Sequence, residues 1–169
     1  AKRQDNAQRL TNPYDESADI DHRARSYLQV NCAHCHQFGA GGTADIDLRL
    51  GTSLEQTKAL NVRPLQGTFE IADAAIIAPG DPYRSVLFYR MAKLGSGRMP
   101  YLGSDVLDER GLALIEDWVR TFDREGPAPK DTGELAGLAT LDPAERSATI
   151  RQLLDSTGGA LQLARAVAA

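Results

Sequence analysis

Apolar positions recur at helical spacing in three stretches of the chain. Between about Asp19 and about Asn31, Ile20, Ala24, Tyr27, Leu28 and Asn31 share one face. Ser17 or Asp19 is placed to cap this first helix, and acids fill its first turn, where a helix start favours negative charge. Asp81-Pro82, a cap residue followed by Pro at the first helical position, predicts a second helix running to about Leu94. Tyr83, Leu87, Met91 and Leu94 form its stripe. A third helix is predicted from about Asp108 to Phe122, burying Leu112, Ile115, Val119 and Phe122 with Trp118 beside them.

The pattern is weaker elsewhere. Residues 1–17 are polar, carry Asn12-Pro13, and read as an extended arm or linker. From Gln37 to Pro79 the sequence is irregular. Gly39, Gly41 and Gly42 argue for a flexible loop, Leu48 to Leu50 and Thr68 to Ile71 for short strands, and Thr52 to Ala59 for a short helix capped by Ser53. So long a loop is expected to hold small elements that cover a cofactor. A glycine-rich loop, Gly95 to Pro100, separates the second and third helices. Gly126 to Gly133 reads as a linker, and Leu141 to Ala169 as helical. Asp142-Pro143 starts a helix there, and Thr157-Gly158-Gly159 is expected to break it before a last turn or two. The expected division is therefore an arm over 1–17, a core domain over 18–125, and a linker with a helical extension over 126–169.

Composition sets outer limits. The chain has 169 residues, 42% hydrophobic and 25% charged, ordinary values for a globular protein. No apolar run approaches the ~18 residues needed to span a bilayer, so no membrane segment is expected within it. The net charge of −4 and the lack of a basic block argue against nucleic acid as a partner. The chain opens on Ala1 without an apolar leader, which reads as a leader removed or a piece of something larger.

Its two cysteines stand three residues apart in Cys32-Ala33-His34-Cys35-His36. A disulfide closing so short a loop would constrain little of the unfolded chain, so the pair reads as chemistry. C-x-x-C-H is the attachment signature of c-type haem. Two thiols must reach two vinyl groups on one side of a porphyrin, and the next residue must set an imidazole against the iron. Positions three and four apart share a helical face, so one turn serves both needs. Zinc would need a second ligand pair, and a dithiol redox site would need a βαβ context. Neither is evident.

Met99, between Arg98 and Pro100 in the glycine-rich loop, is the favoured second axial ligand. A Met sulfur opposite a His raises the reduction potential relative to two nitrogens. Met91 competes from the apolar stripe of the second helix, where Met is usually core filler. His22 lies ten residues before Cys32, about 15 Å away along a helix. His34 reads as an exposed residue. Arg98 is a candidate partner of a haem propionate, and Arg63 a weaker one. Tyr101 is a candidate for packing at the porphyrin edge, whereas Trp118 reads as core. Asp45 and Asp47 read as solvated carboxylates.

Taken together, Cys32-Ala33-His34-Cys35-His36, Arg98-Met99-Pro100 and a closing amphipathic helix resemble the class I c-type cytochrome family over roughly Asp19 to Phe122. Ala78-Pro79-Gly80-Asp81-Pro82 with Ser85 is also similar to single-haem domains fused to larger extracytoplasmic oxidoreductases. The resemblance implies an all-α, cytochrome c-like fold around one covalent haem c held by Cys32 and Cys35, with His36 and Met99 on the iron. Two departures stand out. The stretch between His36 and Met99 is enlarged, and the tail after Phe122 lies outside the family core.

The expected function is single-electron transfer to or from a redox partner protein or a fused dehydrogenase domain, with the chain monomeric and not by itself an enzyme. A haem-based sensor whose Met ligand swings away is the alternative. A peroxidase is a third reading, for which no distal His is evident. Because bacteria attach haem c outside the inner membrane, the resemblance also implies a periplasmic or exported location.

Overall fold

Two aspartates start the helices around which the fold is built. In this computed structural model, which describes residues 9–103, 105–126, 135 and 137–167, α1 spans Ile20–Asn31 and α3 spans Glu109–Arg120. Asp19 Oδ1 accepts the His22 amide at 3.0 Å, and Asp108 Oδ1 accepts the Gly111 amide at 2.9 Å. Each bond satisfies an amide that a helix start leaves without an intrahelical partner. Ser17 turns away to donate to Asp15 at 2.6 Å.

α1 and α3 pack against each other and bracket the core. Trp118 Nε1 donates to Asp21 Oδ1 at 2.9 Å, and the Tyr27 hydroxyl donates to Asp108 Oδ2 at 3.0 Å. The start of α1 therefore meets the end of α3 and the reverse, so the two run in opposite directions along their contact. Gly111 permits this approach, because a Cβ there would stand 2.5 Å from the Tyr27 ring. Trp118 is 1% exposed and, with Ile115 and Val119, fills the centre. Burying side chains of this size contributes about 1.5–3 kcal/mol each. The buried face of α3 is turned from the one expected. Leu114 and Trp118 take the inside, and Leu112 and Phe122 are half-buried.

The second helix is shorter than its pattern suggests. Residues Pro82–Arg84 form a single 3-10 turn, Ser85 is extended, and α2 spans only Val86–Ala92. Asp81 does not cap it. Ser85 interrupts it by pairing with Ala75 in an isolated parallel bridge, while its hydroxyl accepts the Ala78 amide at 2.9 Å. The expected strands do not form either. Phe69 and Glu70 lie at φ 53° and 61°, outside any strand conformation. The Leu48 and Leu50 amides go to the His36 carbonyl and the Gln29 side chain, not to a ladder. Of the helix expected over 52–59, only the turn Glu55–Thr57 is present. Among the described residues there are five α-helices and no strand longer than a bridge. The long segment 37–79 still feeds the core through Ile46, Leu48, Ala59 and Ile77.

From Arg9 onward the expected arm is tied to the helices. The Thr11 amide donates to Ser26 Oγ at 3.0 Å, and the Tyr14 hydroxyl to Asp108 at 2.7 Å. Residues 1–8, and most of the expected linker over 126–133, lie outside the described residues. The tail forms α4, Pro143–Leu154, and α5, Thr157–Val167. Thr157-Gly158-Gly159 begins α5 where a break was expected. A Cβ at Gly159 would collide with the Leu153 carbonyl, so this glycine lets the two helices meet at a sharp corner. The hairpin returns to the core through Arg165, which donates to Asp81 at 2.7 Å.

Candidate functional site

The cysteine motif sits on the turn that leaves α1. The Cys32 carbonyl accepts the Cys35 amide at 3.1 Å and the His36 amide at 2.9 Å. Cys32, Cys35 and His36 therefore belong to one turn closed by two backbone hydrogen bonds. The next segment folds back under them. Gly42 donates to the Cys35 carbonyl at 2.9 Å, and a Cβ at Gly42 would come within 2.9 Å of His36 Nδ1. Only glycine fits between that loop and the imidazole.

The two thiols differ in setting. Cys35 is exposed, while Cys32 is half-buried and burial pushes its thiol up to about 12. Burial also lowers the His36 pKa, with the Arg90 and His34 charges adding to it. The lowering favours the neutral imidazole, the form that offers a lone pair to a metal. Its Nδ1 is buried without a hydrogen-bond partner. Among the described residues no group of three or more His, Cys, Asp or Glu is arranged as a metal site, so Cys32, Cys35 and His36 do not converge as zinc ligands would.

Met99 lies in a loop tied to α2. Its amide donates to the Arg90 carbonyl at 2.9 Å. Arg98, the candidate partner of a propionate, donates to the carbonyls of Lys93 at 2.7 Å and Val106 at 2.9 Å. It braces the loop on both sides of Met99. Tyr101 is 82% exposed. Met91 is buried in the core, His22 bonds to the Arg9 carbonyl, and His34 is exposed.

No family model matches the chain, nor does any curated protein or solved structure.

Arg90 is a residue the pattern did not single out. Its backbone carbonyl accepts the Met99 amide at 2.9 Å. Nothing in the sequence distinguishes it from any other helical arginine. The surface around the site is also unusual. Leu94, Tyr101, Leu102 and Val106, all close to Met99 in the chain, are exposed, as is Phe38, two residues after His36.

Proposed function

We propose that the chain is a single-haem electron-transfer domain of the class I c-type cytochrome kind. Cys32 and Cys35 would bind the haem through thioethers, and His36 and Met99 would ligate its iron. The observation that carries this reading is the single turn after α1 that holds Cys32, Cys35 and His36 through two bonds to one carbonyl. The donor set also fits the group. A thioether is uncharged and suits the half-buried position of Cys32, where a thiolate is disfavoured. The exposed side chains Phe38, Leu94, Tyr101, Leu102 and Val106 offer apolar surface for a flat macrocycle to cover.

Bound there, the haem supplies a one-electron iron couple whose potential follows its ligands and burial. The chain's part is to hold and to exclude. The turn after α1 and the Gly42 segment fix His36. The braces on residues 93–99 hold the loop that carries Met99. Anchoring of this kind favours electron transfer over a sensor whose Met swings away. The expected partner is a redox protein or a fused dehydrogenase domain, met in the periplasm or beyond through a small, transient contact.

Near-infrared spectroscopy tests the ligand pair. The ferric protein should show a methionine-to-iron charge-transfer band that vanishes in Met99→Ala, and the reduced variant should bind carbon monoxide. A wild-type protein lacking the band would remove Met99 from the site.

A further inference from the structure

One side chain reaches from α2 to two separate loops beside the site. Arg90 donates through one terminal nitrogen to the Gly97 carbonyl at 2.8 Å, and through the other to the Gln66 carbonyl at 2.8 Å. Between these two bonds its guanidinium lies over the Phe69 ring, 4.6 Å from the centroid. Phe69 is held in turn by Tyr89, with ring centroids 5.0 Å apart. It also keeps a left-handed backbone, φ 53°, that a bulky residue rarely adopts unless its surroundings impose it. The far edge of the ring meets Gly97, where a Cβ would stand 3.1 Å away and φ is 82°. The Met99 amide completes the frame by donating to Arg90's own carbonyl at 2.9 Å.

The parts form one assembly. Gly97 and Met99 flank Arg98, which is bonded back to Lys93 and across to Val106. Arg90 carries the loop at both Gly97 and Met99, and Phe69 fills the space behind it. A charged donor partly withdrawn from water makes stronger hydrogen bonds than a neutral one, and a planar fork sets direction as well as distance. Lysine has the charge without the fork.

We propose that Arg90 and Phe69 are positioning residues for Met99, forming a buttress that sets how readily an outside ligand displaces the methionine sulfur from iron. The inference rests on the His36 and Met99 ligation proposed above. Neither side chain would touch the iron. They act by keeping the loop in one conformation, so the open state that a competing ligand needs is rarely populated. Loosening the buttress raises that population and the apparent affinity of the competitor in equal proportion.

Imidazole titration of the ferric holoprotein, followed by loss of the methionine-to-iron band, tests this. Arg90→Gln and Phe69→Leu should each raise imidazole affinity at least about tenfold, which is about 1.4 kcal/mol. Arg90→Lys should fall between wild type and Arg90→Gln, and together with Phe69→Leu it decides the matter if Arg90→Gln does not fold. Arg165→Gln breaks an ion pair of the C-terminal hairpin and controls for general loosening, so its affinity should stay within about twofold of wild type. A band in the wild type with unchanged affinity in the buttress variants overturns the proposal alone, as does an equal rise in Arg165→Gln. A wild type without the band overturns the ligation and this proposal together.

Discussion

Replacing Gly111 by Ala sets two effects against each other. In an exposed helix interior the exchange gains about 1 kcal/mol from propensity. Gly111, however, lies in α3 where α1 crosses it. A methyl there would stand 2.5 Å from two carbons of the Tyr27 ring and 2.5 Å from Asp108 Oδ2. Neither neighbour can withdraw without loss. The Asp108 carboxylate holds the Gly111 amide at 2.9 Å, the Tyr27 hydroxyl at 3.0 Å and the Tyr14 hydroxyl at 2.7 Å. Burial opposes its ionised form, yet these bonds hold its carboxyl below the usual range. Forcing a methyl into a packed contact costs about 1–3 kcal/mol, and disturbing the cap adds about 1 kcal/mol. The balance is a net loss of about 1–3 kcal/mol. Denaturant unfolding followed by circular dichroism should show a lower midpoint at unchanged slope. In a Tyr27→Ala background the same substitution should cost less, because the ring is gone. A Gly111→Ala protein more stable than wild type by about 1 kcal/mol would refute the close crossing of α1 and α3.

Other expectations follow from the charges. Asp81 is 2% exposed and meets Arg124 at 2.8 Å, Arg165 at 2.7 Å and the largely buried Arg84 at 3.4 Å. Asp81→Ala leaves Arg84 without its carboxylate and should cost about 3–5 kcal/mol in the same unfolding assay. A loss under about 1 kcal/mol would contradict the cluster's role. The Arg49 guanidinium bonded to Asp47 holds that carboxyl at about 2, against an ordinary 3.8. A depressed carboxyl contributes its full stability above its unfolded pKa and loses it as pH falls through the folded one. Asp47→Asn should therefore flatten the stability profile between about pH 4 and pH 2, and an unchanged acid limb would contradict the pairing.

The parts of the fold that could be read from the sequence were local. Asp19, Asp108 and Asp142 cap helices because a cap needs only the amides two or three residues ahead. Asp81-Pro82 has the same signature, but Asp81 is claimed by Arg124 and Arg165, 43 and 84 residues away, and caps nothing. Thr157-Gly158-Gly159 reads as a breaker in isolation, yet its glycine is required by the approach of Leu153. The site divides likewise. The spacing of Cys32, Cys35 and His36 implies one turn, and that turn is present because its hydrogen bonds are local. Arg98 and Tyr101 were expected against a cofactor from their place beside Met99. Arg98 also braces the loop through carbonyls, a role that rests on where the backbone folds. Arg90 and Phe69 carried no signal, since their importance comes from a contact between segments far apart in the chain.

The central claim is that both sulfurs of the cysteine motif are joined to a porphyrin. Intact-mass measurement of the mature chain, made in a host that attaches haem c, addresses it directly when paired with a thiol titration under denaturing conditions. The account predicts one added haem mass and no titratable thiol. A mass equal to the bare chain with two reactive thiols, Cys32 and Cys35, would contradict it.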